Sequence, residues 1–348
     1  MKVDYIIVGL GLAGLAFVEE LITANKSFIV FEDASQTSSL VAGGIYNPVI
    51  LKRFSPVWNA KEQLAIALPF YEKLEKKFNQ TFDQKFTIKK AFKSIEDQNN
   101  WFSVFDKPTV APFLDSELDN QAYRGVLANH FFGNVKEGGR IDTLKLVEIY
   151  RNYLQENNWI RFEKFNHKDI LFENTSVKYH TLEAAKIIFC EGFGLKKNPY
   201  FNQLPLEEVK GEIITIHAPE LSIDFLLKST LFVLPLGNNH YKVGATFNHK
   251  DKTSMPTKEG KEELIEKLKK VLTVPYTIVA QSAGVRPAVV DRKPMVGVHL
   301  EHEQLCILNG LGTRGVMIAP TVAKNLFHHL EYGEKLDQEI DIKRFVKK

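Results

Sequence analysis

Three glycines in the spacing Gly-x-Gly-x-x-Gly, at Gly9–Gly14, constrain the fold of this chain more than any other feature of its sequence. The apolar run Val3–Val8 precedes them, and a stretch with the apolar periodicity of a helix follows. Ser27–Phe31 is a second apolar run, and it leads into the acidic residue Glu32. This order of strand, glycine turn, helix, strand and acidic residue predicts a β-α-β unit of the kind that binds a dinucleotide.

Each residue type in this unit has a physical role in holding a dinucleotide. Gly9 permits a tight turn, Gly11 lets the backbone approach a pyrophosphate, and Gly14 lets the helix pack closely on the strand. The helix N-terminus offers free N–H groups and a partial positive charge to the phosphates. Glu32 can accept hydrogen bonds from both ribose hydroxyls and would repel a 2′-phosphate, which disfavours an NADP-type ligand. The predicted site for the adenosine diphosphate end consists of Gly9, Gly11, Leu12, Ala13, Gly14, Glu32 and Asp33.

The segment Ser38–Pro48 favours FAD over NAD as the dinucleotide. It is a stretch of mostly small residues that contains Gly43 and Gly44. A backbone of this kind can pass close to a flat ring system without obstruction by side chains. The alternative is a surface loop that needs turn residues.

Two kinds of sequence pattern alternate along the chain. Residues 1–80, 140–206 and 284–348 combine buried strands with helices, which predicts a Rossmann-like α/β domain that binds FAD and is built from discontinuous segments. Residues 81–139 and 207–283 consist mainly of short strand-like segments, which predicts an inserted, mainly antiparallel-sheet (α+β) domain for the substrate. The stretch from Phe82 to Phe132 has no helical period and is expected to pair into a sheet.

Composition excludes several other classes of protein. A net charge of +3 gives no reason to expect nucleic acid or a membrane surface as a partner. Cys190 and Cys306 lie in apolar runs, so neither a disulfide framework nor a redox pair is expected. No metal is predicted, because the closely spaced histidines have no cysteine or acidic cluster nearby. A leader peptide and an apolar run of about 20 residues are both missing from the sequence, which predicts a cytoplasmic protein.

Two segments near the C-terminus are richer in glycine, proline and arginine than folding requires. Ser282–Gly297 (SAGVRPAVVDRKPMVG) contains Arg286, and Asn309–Pro320 (NGLGTRGVMIAP) contains Arg314. Together with the N-terminal glycine motif and the Gly43-Gly44 pair, they resemble the D-amino-acid oxidase (DAO) family of flavoproteins over nearly the whole chain. Within the family the sequence is most similar to glycine oxidase and to the oxidase half of the bifunctional tRNA wobble-uridine modification enzyme.

The resemblance implies non-covalently bound FAD and assigns roles to individual residues. Arg286 matches the family arginine that binds the substrate carboxylate, and Arg314 matches a second arginine near that site. The glycine-rich turn before the last helix matches the loop that places a helix N-terminus at the pyrimidine edge of the flavin. The further predicted cofactor positions are Gly192, Gly310, Gly312, Thr313, Arg314, Gly315 and Val316.

One position departs from the family pattern. Family amino-acid oxidases commonly have a substrate-contacting tyrosine on the strand before a proline, and Phe232 takes that place here. Phe232 has no hydroxyl, which weakens the expectation of free amino acids as substrates. Another hydroxyl would have to come from one of three tyrosines elsewhere in the sequence, Tyr46, Tyr241 or Tyr276.

The activity that the resemblance implies is oxidation of the C–N bond of a small amine or amino acid, glycine-like or an N-substituted glycine, by hydride transfer to flavin N5. Oxygen or another electron acceptor would reoxidise the flavin. The alternatives are a tRNA-directed oxidase of a carboxymethylaminomethyl group, which alone would bind nucleic acid, and a flavin-binding protein without turnover. Arg286 has the alternative of a structural ion pair with Asp291 or Glu212, and Arg314 that of bonding loop carbonyls.

Overall fold

The computed structural model describes residues 1–127 and 130–346. Its strands are β1 (Lys2–Val8), β2 (Phe28–Phe31), β3 (Ile45–Tyr46), β4 (Val49–Ile50), β5 (Ser55–Pro56), β6 (Asp83–Lys85), β7 (Ile88–Ala91), β8 (Leu114–Asp119), β9 (Phe132–Val135), β10 (Gly139–Ile141), β11 (Ile160–Arg161), β12 (Ile170–Phe172), β13 (Val177–Tyr179), β14 (Leu182–Phe189), β15 (Leu206–His217), β16 (Leu226–Lys228), β17 (Phe232–Gly237), β18 (His240–Gly244), β19 (Thr277–Val289), β20 (Met295–Val298) and β21 (Leu305–Asn309). Its α-helices are α1 (Leu12–Thr23), α2 (Ser38–Val41), α3 (Ala60–Phe78), α4 (Ile95–Phe102), α5 (Thr143–Glu156), α6 (Lys258–Leu268) and α7 (Gly315–Tyr332). Within these ranges, no helix combines the length and the apolar character that a membrane span requires.

The first sheet contains the β-α-β unit that the glycine motif predicts. β1 lies between β2 and β14 and runs parallel to both, in the strand order β11-β2-β1-β14-β13-β12. β21 is parallel to the C-terminal half of β14 and pairs with β20 on its other side. Helices α1 and α7 pack together, and Leu15, Val18, Val322 and Leu326 share one apolar core. The turn from β1 to α1 therefore lies at the carboxyl ends of parallel strands, where α/β sheets bind their ligands.

The second sheet is mainly antiparallel. Its strand order is β19-β15-β18-β17-β16-β7-β9-β8, with a parallel pair between β16 and β7. Because side chains alternate between the two faces of a strand, each face has its own packing partners. Ile214 and Val243 form an apolar cluster with Leu264 and Leu268 of α6 on one face.

The opposite face of this sheet is turned toward α2 and the Gly43-Gly44 segment, and we call it the inner face. Phe232 of β17 pairs with Gly244 of β18, which pairs with Ile213 of β15. Paired residues share a face. The Phe232 ring points at Gly43, since an added Cβ there would lie 3.3 Å from its Cζ.

The stretch Phe82–Phe132 differs in part from its prediction. Besides strands it contains α4, where the sequence predicts no helix. The helix is capped by the Ser94 hydroxyl, which accepts a hydrogen bond from the Asp97 N–H at 3.1 Å, and it buries Trp101. Eight residues give too few turns for a hydrophobic period to be recognised.

The division into two domains stays a prediction. Strands of the first sheet come from residues 2–31, 160–189 and 295–309, and those of the second sheet from residues 88–135 and 206–289. The predicted boundary at residue 284 falls within β19.

Candidate active site

The glycine turn between β1 and α1 is packed more tightly than a side chain would allow. Gly9 has a φ of +95°, and a Cβ there would lie 2.6 Å from the carbonyl oxygen of Cys190. A Cβ at Gly14 would lie 2.1 Å from the carbonyl oxygen of Gly9. At Gly11, whose φ is −85°, the nearest neighbour of an added Cβ is the Ser39 hydroxyl at 3.1 Å. Packing therefore requires Gly9 and Gly14, whereas Gly11 leaves an open surface that a phosphate can approach.

The first turn of α1 presents backbone N–H groups toward this open surface. The Leu12 N–H donates to Ser39 Oγ at 3.2 Å, and Ala13 and Gly14 behind it are buried. None of the side chains in this turn is acidic. A helix N-terminus of this kind can hold the oxygens of a pyrophosphate.

Glu32 is a buried carboxylate directly after β2, only 5% exposed. Its Oε2 accepts from the Leu10 N–H at 2.6 Å, while Oε1 accepts from the Ala34 N–H at 2.8 Å and from Arg151 Nη2 at 3.0 Å. A carboxylate has about four acceptor positions, and three of those of Glu32 are engaged within the protein; its binding of the ribose hydroxyls stays a prediction. Asp33, by contrast, is exposed, and its carboxylate accepts a backbone N–H two residues further along.

The segment that favours FAD over NAD is a packed connection rather than a surface loop. It contains α2 and β3, and the Ser38 hydroxyl donates to the carbonyl of Val285 in β19. Gly44 has a φ of +67°, and a Cβ there would lie 1.8 Å from a carbonyl oxygen at the end of β10. Gly43 gives the Phe232 ring its space on the inner face.

The turn before α7 joins the glycine motif to β19. Gly310 and Gly312 have φ values of +78° and +58°, and the Gly312 N–H donates to the Pro287 carbonyl at 2.9 Å. An added Cβ at Gly315 would lie 3.2 Å from Cδ1 of Leu12. The N-termini of α1 and α7 therefore lie side by side, and the turn is bonded to the strand that carries the predicted carboxylate-binding arginine.

The remaining predicted positions lie around this turn. The carbonyl of Val316 accepts from the Tyr71 hydroxyl at 2.9 Å, which fixes the start of α7. Gly192, with a φ of +55°, accepts through its carbonyl from Asn309 Nδ2 at 2.8 Å and so contacts the residue at the end of β21. Thr313 is exposed.

Arg286 is the residue of the inner face best suited to bind an anion. Its guanidinium lies over Gly211, where an added Cβ would be 1.9 Å from Nη2, and 4.5 Å from the centroid of the Phe247 ring. Within residues 1–127 and 130–346 it donates to the carbonyl of Thr246, at 3.4 and 3.5 Å, and pairs with no carboxylate. Burial lowers the pKa of Arg286 to about 10, so the group is charged at neutral pH.

The two carboxylates considered as structural partners of Arg286 are engaged elsewhere. Asp291 accepts from Arg344 Nε at 2.8 Å. Glu212 accepts from the Thr257 N–H at 2.9 Å. Neither forms the ion pair with Arg286, so this alternative is wrong.

Arg314 stands at the N-cap position of α7, where its side chain forms no capping hydrogen bond, and it is half-buried. Over the part of the chain that the structure describes, its side chain donates no hydrogen bond to the loop carbonyls, which contradicts that alternative. The pKa of Arg314 is lowered, mainly because the group is buried and to a smaller extent because Arg292 repels it. The start of α7 therefore combines a helix N-terminus with a cation that has no ion-pair partner among the described residues.

None of the three tyrosines replaces the hydroxyl that Phe232 lacks. The Tyr46 hydroxyl donates to a carboxylate at 2.7 Å, and that of Tyr241 donates to a backbone carbonyl at 2.7 Å. Tyr276 packs with the apolar cluster on the α6 side of the sheet.

Four contributors to the site are missed by sequence reasoning. Gly211 makes room for the guanidinium, and Phe247 stacks on it. Arg151 holds Glu32, and Ser39 bonds the first turn of α1. The one signal for any of them is Gly211 itself, an isolated glycine that the structure places in the middle of β15, a position that often marks close approach of another group.

Comparisons with known proteins identify the family. The family model described as "DAO: FAD dependent oxidoreductase" matches residues 4–328. Glycine oxidase from Pseudomonas putida is 24% identical over 343 residues, which cover 92% of each chain. The tRNA 5-methylaminomethyl-2-thiouridine biosynthesis bifunctional protein MnmC from Idiomarina loihiensis is 30% identical over 129 residues, 35% of this chain and 21% of that protein.

The solved structures show the same fold. Glycine oxidase from Bacillus cereus superimposes with a TM-score of 0.78 at 19% identity, covering 96% of each chain. The predicted fold class, a mixed α/β fold with an FAD-binding part and a sheet part, is confirmed by this likeness. With the family model matching nearly its whole length, the chain belongs to the DAO family of FAD-dependent oxidoreductases.

Proposed function

We propose that this enzyme oxidises the C–N bond of a small amine or amino acid, glycine-like or an N-substituted glycine, by hydride transfer to flavin N5. The observation that carries the proposal is Arg286, a half-buried cation with no carboxylate partner among the described residues. Its planar guanidinium suits the two oxygens of a carboxylate. Stacking on Phe247 occupies one face of the group, so its in-plane N–H groups stay available for the substrate.

The arrangement of the glycine turn supports FAD binding at the adjacent sheet. The open surface at Gly11 and the first turn of α1 would hold the pyrophosphate, and Glu32 would hold a ribose hydroxyl. Arg314 and the N-terminus of α7 would add positive potential at the pyrimidine edge of the flavin. FAD, when bound there, supplies the acceptor for the hydride.

Non-covalent binding of FAD is supported by the state of the two thiols. Cys190 and Cys306 are both buried. Burial raises the pKa of Cys306 to about 12 and raises that of Cys190 as well. Because the thiolate is the nucleophilic form, neither cysteine is suited to attack a flavin ring.

Arg286 would orient the substrate through its carboxylate, so that the carbon between carboxylate and amine is presented for hydride removal. The substrate loses a hydride from that carbon and a proton from nitrogen, which leaves an imine. Water then hydrolyses the imine to a carbonyl compound, and the nitrogen leaves as ammonia or, from an N-substituted substrate, as an amine. A substrate bound with a neutral amine loses the hydride without a dedicated base, and no residue is assigned that role.

Anaerobic flavin reduction in wild type, Arg286→Lys and Arg286→Ala tests the proposal. The substrates are glycine, sarcosine, D-alanine and D-proline, each matched with its decarboxylated analogue. Removing one partner of a charge pair costs about 2–5 kcal/mol, so Arg286→Ala should lower kcat/KM for the acids by roughly 30- to 4000-fold. Arg286→Lys should fall between the two, because it keeps the charge but loses the planar fork.

Several outcomes would contradict the proposal. If amines without a carboxylate reduce the flavin as well as their acid counterparts, Arg286 is structural and the amino-acid assignment fails. Reduction by a carboxymethylaminomethyl-modified tRNA alone would favour the tRNA-directed oxidase. Absence of reduction by any amine would favour a flavin-binding protein without turnover.

A further inference from the structure

Lys228 is a half-buried lysine that the proposed reaction does not use. It ends β16 and is paired in register with Phe232 of β17 and with Lys90 of β7. Paired residues on neighbouring strands point to the same face of a sheet. The Lys228 ammonium also lies 5.9 Å from the centroid of the Phe232 ring. Lys228 therefore belongs to the inner face.

The inner face leads from Lys228 to Arg286. Phe232 pairs with Gly244 of β18, and Gly244 pairs in turn with Ile213 of β15. Gly211 faces the same way and lies beneath the Arg286 guanidinium. Since β16 is three strand steps from β15, the two cationic groups are on the order of 10–15 Å apart.

No carboxylate in the described part of the chain balances the charge of Lys228. In residues 1–127 and 130–346 its ammonium has neither a hydrogen bond nor an ion pair, and its charged neighbours are Lys90, Lys93 and Lys267. Lys90 and Lys267 are themselves paired with acids, Asp97 and Glu263. The pKa of Lys228 is lowered to about 8, mainly because the group is buried and to a smaller extent because the three lysines repel it. A desolvated cation without a partner is costly, so its presence points to an anion that binds there.

We propose that Lys228 binds a second anionic group of the substrate, a carboxylate or a phosphate at the far end of a substituent, while Arg286 binds the α-carboxylate. This inference rests on the proposed function. The Phe232 ring lies between the two cations and offers an apolar wall to the connecting chain. The preferred substrates are then amino acids, N-substituted glycines among them, with an acidic group several atoms beyond the nitrogen.

The test compares pairs of substrates that differ at the end of the N-substituent alone. N-alkylglycines that end in a methyl group are matched in length with ones that end in a carboxylate or a phosphonate. Anaerobic flavin reduction is measured as the arm is lengthened. Because a hydrogen bond to a charged group contributes to binding, we expect substrates with long acidic arms to react roughly 10- to 100-fold better than their methyl-ended partners. Short acidic arms, which cannot reach both cations, should show little advantage.

Substitutions then assign the effect to one side chain. Lys228→Met should abolish the advantage of the acidic arms, and Lys228→Arg should retain it. Lys136→Met is the matched control, since Lys136 is an exposed lysine beside β9 that pairs with Asp115. The advantage should fall in the wild type as the pH rises through about 8, where Lys228 loses its proton. It should persist to higher pH in the arginine variant.

Two results would overturn the inference while leaving the proposed function intact. One is equal reduction by both members of every pair in the wild type, and the other is an advantage that survives in Lys228→Met. The first needs no variant, so it holds even if a substituted protein fails to retain FAD. Failure of every substrate, the acidic-armed ones included, would instead contradict the proposed function, and the inference would fall with it.

Discussion

The guanidinium of Arg286 lies directly over the α carbon of Gly211, so any side chain at position 211 would exclude it. Gly211→Ala would bring a Cβ within 1.9 Å of Nη2. We expect the added side chain to displace Arg286. Because the substrate carboxylate would then lose a charged hydrogen bond, kcat/KM for glycine or sarcosine should fall by roughly 10- to 100-fold. The measurement is anaerobic flavin reduction at unchanged FAD content.

Gly284→Ala is the matched control for this prediction. Gly284 pairs with Gly211 between β19 and β15, but an added Cβ there meets ordinary contacts at 3.5 Å. A similar loss of activity in both variants would mean that crowding of the sheet, and not displacement of Arg286, is responsible.

Phe232→Tyr adds the hydroxyl that the family pattern leads one to expect, yet we expect no gain from it. The tip of the Phe232 ring lies 3.3 Å and 3.0 Å from where side chains at Gly43 and Gly244 would begin. A hydroxyl at this tip would point at the backbone of both glycines and should cost about 1–3 kcal/mol of stability. Glycine-dependent flavin reduction checks the expected activity, and urea unfolding checks the expected loss of stability. A rise in kcat/KM for glycine at unchanged stability would show that the hydroxyl is accommodated.

Gly11→Val and Gly14→Ala should fail in different ways. Gly11 has an ordinary φ and one near neighbour, so the valine variant should fold, with a normal far-ultraviolet circular dichroism spectrum, and purify without FAD. A Cβ at Gly14 would lie 2.1 Å from a backbone oxygen, so the alanine variant should be destabilised whether FAD is present or absent. Full flavin content in Gly11→Val would show that the pyrophosphate binds elsewhere.

Asp251→Asn should destabilise the loop between β18 and α6 in a pH-dependent way. Lys210 is fully buried and donates to Asp251, and this bond holds the pKa of Asp251 at about 2. The bond therefore stabilises the fold above the ordinary pKa of an aspartate and loses its effect as the pH falls toward 2. At pH 7 we expect the variant to lose about 1–3 kcal/mol.

Urea unfolding of wild type and Asp251→Asn at several pH values checks this prediction, and the difference between them should shrink on acidification. Asp115→Asn serves as the control, because its partner Lys136 is largely exposed and surface pairs contribute little. A difference that stays constant down to pH 2.5 would show that the ionisation of Asp251 plays no part.

The N-terminal unit could be predicted from the sequence because each of its signals is local. The glycine spacing, the apolar runs and the acidic residue after β2 all lie within the first 32 residues, and the structure places them as expected. The turn at Gly310–Gly315 was recognisable for the same reason.

The rest of the site depends on which distant segments meet. Arg151 contacts Glu32 across 119 positions of sequence, and no periodicity connects them. Gly211 looks like a weak position within a strand until the register with β19 is known. Lys228 looks like a solvated lysine at a strand end until its pairing with Phe232 places it on the inner face.

Three successive residues of β19 serve three separate parts of the molecule. The Val285 carbonyl accepts a hydrogen bond from the Ser38 hydroxyl, and the Pro287 carbonyl accepts one from the Gly312 N–H. Between them, the Arg286 side chain lies on the inner face, over Gly211. A slip of one residue in this strand would turn the arginine to the opposite face and break both bonds at once. Insertions and deletions here should therefore be selected against during evolution. New substrate preferences should arise instead through side-chain replacements on β16 to β18, where the enzyme can diversify without losing its cofactor.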